Sequence, residues 1–233
     1  MRFLALLRKE LRESLPWLLL AGLLLLGVGL LRLGPLNRFS TVEYWQYTNG
    51  LTPGETVDPH RLLRPGLLRW PGLWLAWMAP ALGLILGVRH FWMPLFTRTW
   101  SFLLHRSAAR PTILWAKLTA ATAGLVLSLG ASWTFLYWYA RRPEVFPIPE
   151  SAKALASGWI YIALGLVIYL GTAVSALSTA RWYTTRIFGL AFAAVATLFI
   201  LSLWNLTWII TLTILTLAIL LSQTIAAFLD REF

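Results

Sequence analysis

The sequence contains no cysteine and few charged residues. Because none of the 233 residues is Cys, disulfides and thiolate metal sites are excluded. Charged residues make up 12% of the chain, whereas about a quarter is usual in a soluble domain. The apolar residues, 58% of the total, are concentrated in runs of about 20 residues, the length that crosses a hydrocarbon core about 30 Å thick. The sequence therefore predicts an integral membrane protein.

Ionisable residues are also scarce inside these runs. No Asp, Glu, Lys, Arg or His is expected in the central part of a span, which argues against a proton-driven carrier, a rotor subunit or an intramembrane protease. The sequence has no GxxxxGK[ST] phosphate loop, and its spacing suggests no Ser–His–Asp arrangement. The three histidines are too scattered for a metal site: His60, His90 and His105. We predict no catalytic, cofactor or metal site on this chain, so a partner must supply the free energy for any work.

The apolar runs predict an all-α membrane domain that occupies residues 1–233. Six transmembrane helices are expected, at about 15–33, 70–88, 112–139, 158–179, 187–203 and 206–228. An even number of spans puts both termini on one side. With cytoplasmic termini, twelve of the 20 Lys and Arg residues lie inside, mostly in short segments, as the positive-inside rule requires. Only "WNLTW" separates the last two spans, which predicts a tight hairpin.

The N-terminal residues 1–14 form an amphipathic pattern. One face is apolar: Phe3, Leu4, Leu7, Leu11 and Leu15. The other face is charged: Arg2, Arg8, Lys9, Arg12 and Glu13. This pattern predicts a helix in the membrane interface, with a Lys9–Glu13 pair one turn apart and an elbow at Pro16 before the first span. The alternative is a basic flank that only sets the orientation.

A second basic and aromatic segment, residues 89–111, separates the second and third spans. Its apolar side is Phe96, Trp100, Leu103 and Leu104, and its polar side is Arg98, Ser101, His105 and Arg106. The pattern predicts a short helix on the cytoplasmic surface, a turn, and the start of a long span near Pro111. The alternative is a plain basic loop that obeys the positive-inside bias.

Small residues recur at four-residue spacing in three spans. They are Ala116, Ala120, Gly124, Ser128 and Ser132 in the third, Gly171, Ser175 and Thr179 in the fourth, and Gly189 and Ala193 in the fifth. Such stripes let helix backbones approach closely in lipid. They indicate either packing within one bundle or a dimer seam that can slide.

The predicted outer loop, residues 32–69, ends in the near-repeat "RLLRPG" and "LLRWPG". We expect an amphipathic connector, with leucines toward the membrane and arginines toward headgroups. A gating or docking role is the alternative.

Two stretches resemble the membrane subunits of ABC-2-type ABC transporters. "LLRKELRES" is similar to the "LLRKEL"-like interfacial helix of that family. "TWSFLLHRSAARPTILWAKL" is similar to its "GTWEFLLSLPVSRxxIxxxKL"-like segment. The residues that fall on the second pattern are Thr99, Trp100, Phe102, Leu103, Leu104, Arg110, Ile113, Lys117 and Leu118. The chain departs from the family in having Arg98 in place of Gly, no acidic residue in "MPLFTRT", and a very short last hairpin.

The resemblance implies a permease subunit without catalysis of its own. A second copy or a paralogue would complete the membrane part, and two separate cytosolic ABC ATPase subunits would bind ATP and Mg. The ATPase contact would involve Arg98, Trp100, Leu103, His105, Arg106 and Arg110. Arg106 and Arg110 would orient this contact, with Trp100 and Leu103 packed beneath it. The expected location is the cytoplasmic (inner) membrane of a prokaryote, in contact with lipids and not with nucleic acid.

The apolar spans favour an amphipathic or lipid-like substrate. Two other functions fit the same sequence. One is a non-transporting scaffold that anchors an ATPase or a membrane assembly. The other is an export subunit of the haem- or copper-maturation type, although no His cluster suitable for haem is visible. A polar or small-residue path between dimer halves would favour transport, and a tightly packed apolar seam would favour the scaffold.

Overall fold

The protein is described by a computed structural model, in which residues 2–33, 68–97, 109–142, 151–178 and 187–229 are placed. These ranges contain helices and their turns and no strand, which confirms the all-α prediction. The helices are α1 (Arg2–Leu33), α2 (Arg69–Phe96), α3 (Arg110–Ala140), α4 (Ala152–Leu177), α5 (Phe188–Ser202) and α6 (Leu206–Leu229).

Five of these helices are long and apolar enough to cross a membrane. Their mean hydropathies are 1.5 to 2.2 over the most apolar stretch, as in a multi-pass membrane protein. The remaining helix, α5, has 15 residues and is therefore about 22 Å long, shorter than the apolar core of a bilayer, which is about 30 Å thick. The six-span topology with cytoplasmic termini stays a prediction.

Helix α1 runs without interruption through Pro16, where the sequence predicted an elbow between two helices. Proline removes one backbone hydrogen bond, but membrane helices tolerate it because neighbouring groups satisfy the freed carbonyl. The predicted apolar face is not the buried one at this end, since Leu4 and Leu15 are exposed while Glu10 and Ser14 are buried. A helix surrounded by lipid can keep its apolar side outward and its polar side inward.

Helices α2 and α3 each contain one π-helical turn, at Val88–Trp92 and Val126–Gly130. The second span was predicted to end at residue 88, but α2 continues through its π turn to Phe96. Part of the predicted coupling segment 89–111 is therefore the end of α2. The third span begins at Arg110 with Pro111 in its first turn, where the missing proline N–H has no consequence.

Helix α4 lies at the centre of the bundle. In its most apolar stretch 72% of the residues are buried, against 28% in α1 and in α6. Its closest neighbour is α2, because Gly83 and Gly165 let the two backbones meet. A Cβ atom on Gly83 would overlap the carbonyl oxygen of Gly165, and one on Gly165 would lie 2.6 Å from the carbonyl oxygen of Ala79. This stripe of Ala79, Gly83 and Gly87 was not among those predicted from the sequence.

The small residues predicted on α3 face α1. Gly124 lies against the Leu18 side chain, and the Ser128 hydroxyl donates a hydrogen bond to the backbone carbonyl of Leu18. One turn further along, the Ser132 hydroxyl lies 3.4 Å from the carbonyl oxygen of Gly22. Ala120 of the same stripe is buried. These contacts lie within one chain.

The small residues predicted on α4 face α5. A Cβ on Gly171 would meet the side chain of Ala193 and come within 2.8 Å of the Gly189 carbonyl oxygen. The Ser175 hydroxyl accepts a hydrogen bond from the Leu190 N–H at 2.8 Å.

A connection of three residues, 203–205, joins α5 to α6, and the hairpin of two spans stays a prediction. Asn205 precedes the first residue of α6, and its side-chain oxygen accepts a hydrogen bond from the Thr207 N–H at 2.9 Å. Asparagine is a favoured residue at this position because it satisfies a free N–H at the start of the helix.

Candidate functional site

Five polar side chains from four helices meet in the interior of the bundle. We call this group the polar junction; its members are Glu10 and Ser14 of α1, His90 of α2, Lys117 of α3 and Tyr169 of α4. Each of these residues is at most 7% exposed. Ionisable residues inside membrane helices are rare and commonly functional, so this group is the candidate functional site.

The polar junction lies toward one end of the bundle. Glu10 and Lys117 are near the beginnings of α1 and α3, whereas His90 is near the end of α2 and Tyr169 is in the last third of α4. Consecutive helices from α1 to α4 therefore alternate in direction. Lys117 is seven residues after Arg110, which corresponds to about 10 Å along the helix axis.

A buried ion pair links α1 to α3. The Lys117 ammonium donates a hydrogen bond to Glu10 Oε1 at 2.7 Å. The second oxygen, Glu10 Oε2, lies 3.6 Å from Nε2 of His90. That separation exceeds a hydrogen bond, so the carboxylate is bonded to the lysine and only close to the imidazole.

The histidine ring joins α1 and α2 to α4. Ser14 Oγ lies 3.1 Å from His90 Nε2, and Tyr169 Oη lies 3.0 Å from His90 Nδ1. Tyr169 donates its single proton to the backbone carbonyl of Lys117 at 3.2 Å. The consistent assignment is then a neutral imidazole, which donates through Nδ1 to Tyr169 and accepts at Nε2 from Ser14. With a neutral histidine, the charges of Glu10 and Lys117 cancel.

Aromatic rings pack against one another where the junction meets α4. The His90 and Phe91 rings lie 5.7 and 5.8 Å from the Tyr169 ring, the first edge to face. The π turn of α2 contains both His90 and Phe91, and both are buried. A π turn accommodates one extra residue in the helix. No feature of the local sequence predicts this turn.

A second, more exposed set of charges lies beside the buried pair. Glu13 Oε1 lies 3.8 Å from Lys9 Nζ, and Glu13 Oε2 lies 3.9 Å from the Arg89 guanidinium. The predicted Lys9–Glu13 pair is therefore confirmed. Solvent screening limits such exposed pairs to about 0–1 kcal/mol, so the buried pair is the stronger constraint.

The contact of Ser14 with His90 has the geometry of a nucleophile beside its base, but the surroundings do not suit catalysis. Ser14 is 1% exposed, so a substrate cannot reach its hydroxyl. The other ring nitrogen faces a phenol, where a hydrolase uses a carboxylate. Among the described residues no three His, Cys, Asp or Glu side chains could hold a metal ion. The arrangement is therefore suited to fixing helices against each other.

The residues predicted from sequence as an ATPase contact fall mostly on a segment that the structure does not describe. Arg98, Trp100, Leu103, His105 and Arg106 lie outside the described residues. Arg110, the last member of that group, is the first residue of α3 and is exposed. The predicted interfacial residues are all exposed on α1: Arg8, Lys9 and Arg12.

The junction does not stand out in the sequence, because its charged residues lie outside the middle of the predicted spans. Lys117 lies near the start of its predicted span, where cations commonly set the orientation, and Glu10 precedes the first predicted span. A signal was present nevertheless. Lys117 lies four residues after Ile113 and four before Ala121, so it shares their buried face of α3. A charge on an inward face requires a partner, and Glu10 supplies it.

Comparisons of the chain with protein-family models, with curated proteins and with solved structures give no match.

Proposed function

We propose that this chain is the permease subunit of a transporter of the ABC-2 type, which moves an amphipathic or lipid-like substrate with ATP hydrolysed by a separate subunit. The observation that supports this function is the contact between the two stretches that resemble the family. Glu10 belongs to "LLRKELRES" and Lys117 to the end of "TWSFLLHRSAARPTILWAKL". Their side chains form the buried ion pair, at 2.7 Å.

The physics of buried ion pairs also favours a role beyond stability. Desolvation offsets much of the attraction, so apolar residues of similar size would often stabilise a fold as well or better. Such a pair specifies one arrangement of helices, because any other leaves a charge unpaired. A subunit driven by an external ATPase needs defined helix arrangements at its membrane surface.

The proposed assembly contains two permease subunits, alike or different, and two cytosolic ABC ATPases that bind ATP and Mg. It resides in the cytoplasmic membrane of a prokaryote. Helix α1 begins on the cytoplasmic side, and helix α6 ends there. Arg106 and Arg110 orient the ATPase contact.

The test is gentle detergent extraction of the tagged chain from its native membrane, followed by mass spectrometry of the bound proteins. We expect an ABC ATPase in stoichiometric amount, which is lost when Arg106→Glu and Arg110→Glu are combined. The matched control reverses Arg141 and Arg142 at the other end of α3, where the guanidinium groups lie 5.6 and 5.9 Å from the Tyr137 and Tyr139 rings.

An ATPase that binds the Arg106 and Arg110 variant as well as the native chain would contradict the assigned contact. Recovery of the native chain alone, or only with other membrane proteins, would contradict the transporter function. That last result would favour a structural scaffold, the runner-up function.

A further inference from the structure

Helices α1 and α3 are held together along most of their length. At one end the ion pair joins Glu10 to Lys117. Near the other end, a Cβ atom on Gly29 would collide with the side chain of Leu136. Between these points the Ser128 hydroxyl donates a hydrogen bond to the Leu18 carbonyl of α1, and the Ser132 hydroxyl lies 3.4 Å from the Gly22 carbonyl oxygen. The two helices form one pair.

Helices α2 and α4 form a second pair, held by direct contact of backbones. Gly83 meets Gly165, and a Cβ atom on Gly87 would lie 2.6 Å from Cβ of Thr172. At the end of α2, the Trp92 indole donates a hydrogen bond to the backbone carbonyl of Thr172 at 3.3 Å.

The polar junction fastens the two pairs together at one end. His90 of the second pair contacts Ser14 and approaches Glu10, while Tyr169 of the second pair bonds to the Lys117 backbone. A shift of α1 by one turn, about 5.4 Å, would separate Glu10 from Lys117. Since both charges are buried, each would then lack a partner. Movement of α3 at this end must therefore carry α1 with it, or break the ion pair.

We propose that Glu10 and Lys117 are a positioning pair that transmits movement from α3 to α1. The inference rests on the proposed function, because ATP-driven movement would enter α3 at Arg110, its first residue. The pair is buried, so it acts through the helices and not by touching the ATPase. Its consequence is that the exposed basic residues of α1, among them Arg8 and Arg12, follow α3 at the membrane surface.

The first part of the test uses the full chain alone in lipid nanodiscs. Because the sequence has no cysteine, Ala5→Cys and Thr119→Cys place spin labels only at these two exposed positions of α1 and α3. Electron-spin distance measurements should give a narrow distribution, which Glu10→Ala broadens or shifts. The matched control, Glu13→Ala, removes an exposed carboxylate three residues away and should change nothing. If Glu10→Ala does not fold, Glu10→Gln keeps the shape and removes the charge. An unchanged distribution in these Glu10 variants would overturn the inference.

The second part uses the complex with its ATPase, trapped with ATP and vanadate. The rate at which a charged maleimide labels Ala5→Cys or Thr119→Cys is measured with and without trapping. We expect both rates to change in the native background and with Glu13→Ala. With Glu10→Ala the response at Thr119→Cys should remain and that at Ala5→Cys should be lost. A surviving response at Ala5→Cys would overturn transmission, whereas no response at either position in the native background would contradict the proposed function itself.

Discussion

The polar junction and the glycine contact between α2 and α4 hold the bundle together in opposite ways. At the junction, long side chains reach across four helices and satisfy one another through charge and hydrogen bonds. At Gly83 and Gly165 there are no side chains, and the backbones themselves touch. The first contact depends on which groups are present, and the second depends on which groups are absent.

This difference determines how each contact can fail. In lipid there is no hydrophobic force between helices, so association depends on close packing and on polar contacts. A polar contact fails when one partner is removed, because the other stays buried. A contact between backbones fails when any atom is added. Each contact is therefore tested by the opposite kind of substitution, with the free energy of unfolding in detergent or nanodiscs as the measurement.

The largest effect is expected from Lys117→Met. This change keeps the length of the side chain but leaves the Glu10 carboxylate buried without its partner. Breaking a buried pair in this way costs about 3–5 kcal/mol. The control is Lys153→Met, which removes an exposed lysine at the start of α4 and should leave the free energy of unfolding nearly unchanged. If both substitutions lower the free energy of unfolding by the same small amount, the buried Glu10 carboxylate does not need Lys117 as its partner.

The next largest effect is expected from Gly83→Leu at the glycine contact. The added side chain would overlap the Gly165 backbone, so α2 and α4 must separate, at a cost of about 1–3 kcal/mol or more. Gly27→Leu is the matched control, because a Cβ atom there would meet nothing within 4 Å. A Gly83→Leu variant as stable as the Gly27→Leu variant would contradict the close approach of α2 and α4.

A smaller loss of about 1 kcal/mol is expected from Tyr169→Phe. The ring remains, but the His90 ring and the Lys117 carbonyl lose the hydroxyl that joins them. Tyr139→Phe is the control, because the Tyr139 ring packs by stacking on Phe135 and against the Arg142 guanidinium. If the two tyrosine variants have the same free energy of unfolding, the Tyr169 hydroxyl does not stabilise the junction.

The smallest effect is expected from Ser128→Ala, which removes one hydrogen bond from α3 to the Leu18 carbonyl of α1. Polar contacts between membrane helices average about 0.6 kcal/mol. The control is Ser222→Ala, whose hydroxyl bonds at 2.8 Å to the Ile219 carbonyl of its own helix. A loss at Ser128→Ala much larger than this average would mean that the α1–α3 contact is more dependent on serine than its geometry indicates.

Much of the fold follows from patterns that act over short distances in the sequence. The apolar runs locate all six helices, and "WNLTW" locates the turn before α6 at Leu206. The helix ends are less accurate, because the π turn at Val88–Trp92 and the continuation through Pro16 depend on packing against neighbouring helices. Propensity alone would interrupt a helix at Pro16, and it gives no sign of the π turn at Val88–Trp92.

The polar junction could not be derived in the same way, because its members are far apart in the chain. Glu10 and Lys117 are 107 residues apart, and His90 and Tyr169 are 79 residues apart. Each looks ordinary alone: a charge near a helix end, or a tyrosine in an apolar run. The inward position of Lys117 could be inferred from its spacing, but the identity of its partner required the helices to be placed.

A double-mutant cycle on Glu10 and Lys117 tests the central claim most directly. The free energy of unfolding would be measured for Glu10→Gln, for Lys117→Met and for the double variant, in the same nanodiscs. The account predicts that the double variant loses much less stability than the sum of the two single losses, because removing both partners leaves no unpaired buried charge. Losses that simply add would contradict it, since two charges that do not interact in the folded protein cannot fasten α1 to α3.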